Sequence, residues 1–167
     1  MNLEELNKLD ETSARMSLSQ CCGAEKWVKA MVASRPFLAR EQLFEKANKC
    51  FDTLSDSDWL EAYTHHPRIG DVESLREKFA STAAWASKEQ GSVSDADEAV
   101  ILELKNTNDK YFDRYGFIFI VCATGKSASE MLEILNSRME NDNKSEIQIA
   151  ADEQKKITNL RMEKLLS

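Results

Sequence analysis

FIFIVCA, residues 117–123, is the segment on which the fold class of this chain depends. It is apolar and rich in β-branched and aromatic residues, which is typical of a buried β-strand. No other segment of the chain is a convincing partner strand, and a lone strand leaves its backbone N–H and C=O groups without partners. We therefore predict that residues 117–123 form a buried helical or extended segment inside an all-α protein.

The rest of the chain is dominated by helix signals. Its 167 residues include only five glycines and two prolines, and so few helix breakers favour helices. Ser55 with Asp58, and Ser127 with Glu130, have the spacing of N-terminal helix caps. We predict a single domain over residues 1–167, a bundle of about eight to nine helices.

The helix predictions follow the apolar periodicity between turn and cap signals. Asp71 is expected to cap the sixth helix, Ser94 with Asp97 to begin the seventh, and Gly116 to end it. A further short helical segment is expected around Trp85 and the SKEQ stretch. The main predicted helices cover residues 2–9, 10–22, 24–35, 40–54, 56–63, 72–79, 95–115, 128–139 and 145–166.

Composition and charge exclude several function classes. A formal net charge of -7 disfavours nucleic acid or an anionic membrane as the main partner. No apolar run approaches the ~20 residues of a membrane span, and the start lacks a signal-peptide pattern, so we expect a cytoplasmic protein. With two histidines, no H-E-x-x-H pattern and no glycine-rich phosphate loop, we expect neither a metal nor a nucleotide cofactor.

The cysteine pattern also disfavours a metal centre. The four cysteines include an adjacent pair, and none has the C-x-x-C spacing. Buried free thiols in a reducing compartment are the interpretation that this pattern favours. The four positions are Cys21, Cys22, Cys50 and Cys122.

YTHHPRIGD, residues 63–71, contains both histidines. The residue before a proline is driven out of the helical conformation, so the preceding helix should end at about Thr64 or His65. The negative end of the helix dipole would favour a protonated His66. An imidazole titrates near neutral pH, so His66 suits proton transfer. On residue type alone, a solvent-exposed turn histidine is the commoner explanation.

Two other places could carry chemistry. SKEQG, residues 87–91, offers a hydroxyl, a carboxylate and an amide to a polar heterocycle, although a solvated helix end has the same composition. In the last helix, Ile157, Leu160 and Leu165 mark the predicted apolar side, next to Arg161. An arginine there can turn inward to bind a carbonyl or carboxylate, but it more often extends outward over apolar neighbours.

Taken in order, these motifs resemble the OHCU decarboxylase family, named for 2-oxo-4-hydroxy-4-carboxy-5-ureidoimidazoline, which acts at the end of the urate degradation route to allantoin. The resemblance covers nearly the whole chain. Its motifs are LNKLDE, CCGAEKWVKAMVASRPF, HHPRIGD, WASKEQ, YGFIFIVCATGK and the helix that contains Arg161.

The resemblance implies an all-helical homodimer that decarboxylates its substrate to S-allantoin without a metal or organic cofactor. His66 corresponds to the catalytic histidine, and Glu89 and Arg161 fall on the family's other catalytic positions. An association with hydroxyisourate hydrolase, the preceding enzyme of the route, is left open. The substrate-binding positions that the resemblance implies are Pro67, Ser87, Gln90, Phe117, Ile118, Phe119 and Ile120.

Two other functions stay open on the sequence. A non-catalytic helical interaction module could keep the fold. Such a module would tolerate loss of His66, Glu89 and Arg161, whereas this chain has all three. An enzyme that acts on a related ureido or hydantoin ring could use the same polar side chains. The role of His65 is also open.

Overall fold

The protein is described by a computed structural model that places residues 1–68, 71–80 and 95–167. Within these ranges the chain forms nine α-helices and no β-strand. The all-α prediction is therefore confirmed. The helices are α1 (Leu3–Lys8), α2 (Glu11–Ser19), α3 (Glu25–Ala33), α4 (Arg40–Phe51), α5 (Asp56–Thr64), α6 (Val72–Ala80), α7 (Asp95–Tyr115), α8 (Ala128–Arg138) and α9 (Asn143–Leu165).

The helix ends follow the cap residues in the sequence. Ser55 and Ser127 each accept a hydrogen bond from the third backbone N–H of their helix, and the reciprocal carboxylates complete both predicted capping boxes. Asp71 accepts a hydrogen bond from the Ser74 backbone N–H at 2.7 Å, as predicted for α6. Gly116 has a φ of 78°, which is favourable for glycine, and ends α7. The predicted cap at Ser94 and the short helix around Trp85 lie outside the described residues.

Residues 117–123 form neither helix nor strand. Phe117, Phe119 and Ile120 are buried, with exposed fractions between 2% and 9%. The predicted burial is confirmed at these three positions, whereas Ile118 and residues 121–123 are only partly buried, and the helical form of the segment is excluded.

The described chain divides into two compact units. The first unit contains Met1–His66, Ile120–Cys122 and Ile147–Ser167; the second contains Pro67–Phe119 and Ala123–Glu146. The single domain over residues 1–167 stays a prediction.

Aromatic rings fill the centre of the first unit. Trp27 stacks on Phe51 with ring centroids 5.8 Å apart, and Phe51 contacts Trp59 at 5.7 Å. The Trp27 indole N–H donates to the Ala47 carbonyl at 3.2 Å, so the polar edge of this ring is satisfied within the core. The Tyr63 hydroxyl donates to the Ile147 carbonyl at 2.8 Å and thereby joins α5 to α9.

The buried face of α9 differs from the predicted one. Leu160, which was expected on the apolar side, is 39% exposed, and Ile157 and Leu165 are only partly buried. The apolar-side prediction is therefore wrong, because two polar residues hold the middle of the buried face. That face consists of Ile147, Ala150, Ala151, Gln154, Thr158 and Met162.

In the second unit, α7 packs against α6 and α8. The Tyr111 ring contacts Phe117 at 5.8 Å and Phe119 at 5.4 Å, both edge to face. Arg138 and Glu146 are charged residues buried in this unit. The other buried apolar residues of the unit are Leu75, Phe79, Ile101, Leu104, Tyr115, Ala128, Met131, Leu132 and Leu135.

Candidate active site

The C-terminus of α5 places the two histidines. The helix ends at Thr64, and the backbone N–H of His65 donates to the Ala62 carbonyl at 3.2 Å. The N–H of His66 donates to the Tyr63 carbonyl at 3.3 Å. These bonds tighten the last turn immediately before Pro67, so the predicted end of this helix is confirmed.

Gly23 leaves the space that His65 needs. A Cβ atom built on Gly23 would lie 2.5 Å from His65 Cδ2 and 2.7 Å from His65 Cβ, which are distances that side chains do not tolerate. Ala24, which precedes α3, supplies no side-chain cap for this helix. The Glu61 carboxylate caps it instead, because it accepts a hydrogen bond from the Glu25 backbone N–H at 2.5 Å. The glycine of the CGAEKW motif therefore lets the segment before α3 pack against the end of α5.

Both ring nitrogens of the partly buried His66 have partners on α9. His66 Nε2 lies 2.5 Å from Gln154 Oε1, and Arg161 Nη2 lies 3.5 Å from His66 Nδ1. Gln154 is fully buried, and its amide nitrogen donates to Thr158 Oγ1 at 3.1 Å. We call His66, Gln154, Thr158 and Arg161 the histidine cluster.

Arg161 points inward, as one of the two interpretations of its position predicted. Its Nη1 lies 3.4 Å from the Gln20 carbonyl oxygen and 3.5 Å from that of Cys21. Among residues 1–68, 71–80 and 95–167, the hydrogen-bond partners of this guanidinium are therefore two carbonyls and an imidazole, none of which carries a negative charge. A guanidinium with such partners can bind an anionic group.

Burial lowers the pKa of His66 below its ordinary value of 6.5, and the positive charges of Arg161 and His65 add to this effect. The hydrogen bond to Gln154 acts in the opposite direction but is weaker than the burial effect. The expectation that the helix dipole favours a protonated His66 is therefore wrong, because burial beside an arginine outweighs it. At neutral pH the imidazole is uncharged and can accept a proton.

The cysteines near this cluster are protonated thiols. Burial raises the pKa of Cys21 to about 11, and burial also raises the pKa of Cys22. Cys50 is buried as well, so the predicted buried thiols are confirmed at these three positions. Cys122 is only partly buried.

Three of the predicted substrate-binding residues line one small cavity of the second unit. Pro67, Ile118 and Phe119 lie there together with Arg68, Asn108 and Phe112. The Arg68 guanidinium stacks over the Phe112 ring at 4.2 Å from its centroid and pairs with Asp109 at 3.4 Å, so the charge of this wall is compensated.

Two further predicted site residues do not line this cavity. Phe117 is buried against Tyr111 in the second unit, and Ile120 is buried in the first. Ser87, Glu89 and Gln90 lie outside the described residues.

Gln154 and Thr158 did not emerge from the sequence as members of the cluster. The available signal was their helical spacing with Ile147, Ala151 and Met162, which places both polar residues on the buried face of α9. A glutamine and a threonine in such a stripe need hydrogen-bond partners, and that requirement could have identified them.

The parts of the chain that the structure describes also bear on metals and membranes. Within them, no group of three His, Cys, Asp or Glu side chains is arranged to hold a metal ion. None of the helices described is both long and apolar enough to cross a membrane.

The fold and the histidine cluster define an all-α protein with a neutral imidazole beside an arginine. Residues 7–163 match the family model described as OHCU decarboxylase. The chain therefore belongs to the OHCU decarboxylase family, and the resemblance of its motifs is confirmed.

Individual relatives agree with this assignment. An Arabidopsis thaliana protein named "Uric acid degradation bifunctional protein TTL" is 38% identical over 149 residues, 88% of this chain but 45% of that protein. This chain thus spans less than half the length of that relative. A Haloferax volcanii protein named 2-oxo-4-hydroxy-4-carboxy-5-ureidoimidazoline decarboxylase is 24% identical over 97% of this chain and 94% of its own.

A solved structure shows the same fold. It is described as the crystal structure of OHCU decarboxylase in the presence of (S)-allantoin, and it is 34% identical to this chain. The match has a TM-score of 0.70 and covers 89% of this chain and 95% of that one.

Proposed function

We propose that this chain decarboxylates 2-oxo-4-hydroxy-4-carboxy-5-ureidoimidazoline to (S)-allantoin in urate degradation, without a metal or organic cofactor. Membership of the OHCU decarboxylase family supports the reaction class. The observation that carries the proposal is the pair formed by His66 and Arg161. His66 is a neutral base, and its Nδ1 lies 3.5 Å from the Arg161 guanidinium, whose described partners are uncharged.

The substrate has groups that match this pair. One ring carbon bears both a hydroxyl and a carboxylate, and the neighbouring carbon bears the ureido group. His66 is the base for the hydroxyl proton. Arg161 binds a carbonyl oxygen of the ring and stabilises the negative charge that develops there.

The reaction proceeds in two stages. The bond between the ring carbon and the carboxylate breaks, carbon dioxide leaves, and the electron pair is delocalised into the ring as an enolate-like species. The hydroxyl oxygen becomes a carbonyl as its proton passes to His66, which then delivers a proton to the carbon that bears the ureido group. One further proton comes from solvent to balance the lost carboxylate charge. Delivery to one face of the ring gives the S enantiomer.

The remaining roles rest on the resemblance. Glu89 and Gln90 hold the ureido and ring N–H groups in this proposal, and Ser87 binds the same substrate. Pro67 and residues 117–120 bind the substrate, the last through their backbone. The protein is a cytoplasmic homodimer, and the bifunctional Arabidopsis relative is consistent with an association with hydroxyisourate hydrolase.

Replacement of His66 tests the proposal. We expect His66→Asn to lower turnover by about 100- to 10,000-fold, because it removes the acid–base group while an amide keeps the polarity of the site. Freshly generated substrate is mixed with enzyme, and circular dichroism follows the formation of (S)-allantoin.

The control is His65→Ala, which removes the neighbouring imidazole and should change the rate far less. Near-normal formation of (S)-allantoin by His66→Asn would contradict the role of His66. A racemic product that forms at the spontaneous rate with the unaltered protein would contradict the decarboxylase activity itself.

A further inference from the structure

We propose that Gln154 is a positioning residue for His66. Its side-chain carbonyl holds the imidazole in the tautomer with the proton on Nε2, so that Nδ1 is the atom that exchanges protons with the substrate. The inference rests on the proposed function, since it names the working atom of His66 in that reaction. Gln154 is 88 positions from His66 in the sequence and is not among the site residues that the sequence predicted.

Arg161 determines which ring nitrogen of His66 carries the proton. A guanidinium has N–H donors and no acceptor, so the atom that faces it must offer a lone pair. Arg161 Nη2 lies 3.5 Å from His66 Nδ1. A neutral imidazole carries one N–H, which must therefore be on Nε2. That N–H needs an acceptor, and Gln154 Oε1 lies 2.5 Å away.

The Gln154 amide has one orientation that satisfies both of its partners. Its nitrogen and oxygen ends have the same shape, so the partners decide which end faces His66. The Gln154 amide nitrogen donates to Thr158 Oγ1 at 3.1 Å. A hydroxyl oxygen can accept this N–H, whereas the Nε2–H of His66 needs an acceptor, and only the oxygen end of an amide accepts. The amide nitrogen therefore faces Thr158, and the carbonyl oxygen faces His66.

Burial makes this arrangement rigid. Gln154 and Thr158 are 0% exposed, so water cannot replace a lost hydrogen-bond partner. Leaving a buried donor or acceptor without a partner costs about 1–3 kcal/mol. The alternative tautomer would place two N–H donors face to face between Arg161 and His66 and leave Gln154 Oε1 without a donor.

The chemistry of a glutamine suits a base that starts neutral. When the substrate binds, Arg161 donates to the ring carbonyl oxygen instead of Nδ1, which frees the Nδ1 lone pair. When Nδ1 then accepts the hydroxyl proton of the substrate, both ring nitrogens are protonated, and the Nε2–H bond to Gln154 becomes charge-assisted. Nδ1 then returns a proton to the ring carbon, and the neutral tautomer is restored. A carboxylate at position 154 would instead stabilise the imidazolium throughout and weaken its acidity.

Nitrogen-15 NMR of the unaltered protein tests the tautomer directly. The chain has two histidines, so comparison with His65→Ala assigns the imidazole signals. We expect His66 to carry its proton on Nε2 and to have an unprotonated Nδ1. A proton on Nδ1 would overturn the inference, and this measurement requires no substitution at position 154.

Enzyme kinetics test the positioning role. We expect Gln154→Leu to lower kcat by about ten- to a hundredfold with little change in KM, because loss of an orienting partner behind an imidazole has effects of this size. The His66 tautomers should become mixed. Gln148→Leu is the matched control, since Gln148 is an exposed glutamine of α9 that also reaches α5, through Asp56 at 3.0 Å, and should leave kcat unchanged.

Gln154→Glu separates orientation from packing. It keeps an acceptor for Nε2–H, so it should preserve the tautomer, while its negative charge raises the pKa of His66 against the opposing charges of Arg161 and His65. The acid limb of the kcat/KM profile should therefore move to higher pH, which a purely structural role would not cause.

The outcomes distinguish this inference from the proposed function. Full kcat and an unchanged tautomer in Gln154→Leu, together with an inactive His66→Asn, would overturn the inference and leave the decarboxylase function intact. An active His66→Asn would overturn the function of His66, and with it the role of Gln154 in catalysis.

Discussion

Two polar clusters, one in each unit, differ in how their charges are matched. In the second unit, Glu146 accepts hydrogen bonds from Arg138 Nε and from the Tyr111 hydroxyl, both at 2.5 Å, and from Asn141 Nδ2 at 3.0 Å. We call Tyr111, Arg138, Asn141 and Glu146 the carboxylate cluster. In the histidine cluster, the partners of Arg161 are carbonyls and a neutral ring.

This difference indicates which cluster stabilises the fold and which one takes part in the proposed reaction. Arg138 and Glu146 have opposite charges, and their side chains are 6% and 0% exposed, so each charge is compensated by the other. Burial and the neighbouring carboxylate raise the pKa of Tyr111, which keeps its hydroxyl as a donor. The histidine cluster instead keeps a cation without an anion among its described partners, together with a neutral base. Such a cluster is suited to an anionic ligand, whereas the carboxylate cluster holds the fold.

The largest effect on stability should come from the carboxylate cluster. Glu146→Leu leaves the Arg138 cation buried without its partner, and we expect a loss of about 3–5 kcal/mol in the free energy of unfolding. Thr158→Val in the histidine cluster leaves the buried amide N–H of Gln154 without its acceptor, a neutral group, and should cost only about 1–3 kcal/mol. Urea denaturation of both variants measures this difference.

The double variant Arg138→Met with Glu146→Leu is the control. It removes both charges together, so it should recover most of the loss. If Glu146→Leu were as stable as Thr158→Val, the distinction between a matched and an unmatched cluster would be wrong.

Gly23→Ala should have an intermediate effect. The added Cβ would overlap His65, and we expect a loss of about 1–3 kcal/mol together with a displaced end of α5. Chemical shifts of the His66 ring would report that displacement. Adding His65→Gly removes the overlapping atoms and should restore the His66 signals; failure to do so would mean that Gly23 acts through another contact.

The smallest effect is the contribution of His66 to the pH dependence of the free energy of unfolding. Because its pKa is lowered on folding, the folded state prefers the neutral ring. Its contribution to stability is therefore present above the unfolded pKa of 6.5 and is lost as the pH falls from 6.5 toward the folded pKa. Unfolding free energies of the unaltered protein and His66→Asn between pH 7.5 and pH 5 should diverge in this direction, and parallel curves would contradict the lowered pKa.

The sequence predicted the helices better than it predicted their buried faces. The caps at Ser55 and Ser127 depend on residues three positions apart, so local pattern was sufficient. The buried face of α9 depends on which neighbours it meets, and Leu160 was wrongly placed because apolar character alone does not say where a helix is covered. The inward direction of Arg161 was one of two interpretations that the sequence could not separate.

By itself, the sequence determined the all-α class, the end of α5 before Pro67 and the family, because these depend on short-range geometry and on ordered motifs. Only the tertiary structure decided that His66 has a lowered pKa and that Gln154 and Arg161 occupy its two ring nitrogens. These partners are 88 and 95 positions away along the chain. Burial and hydrogen bonding between such distant residues arise only when the helices pack, and they set the protonation of the one histidine on which the proposed chemistry depends.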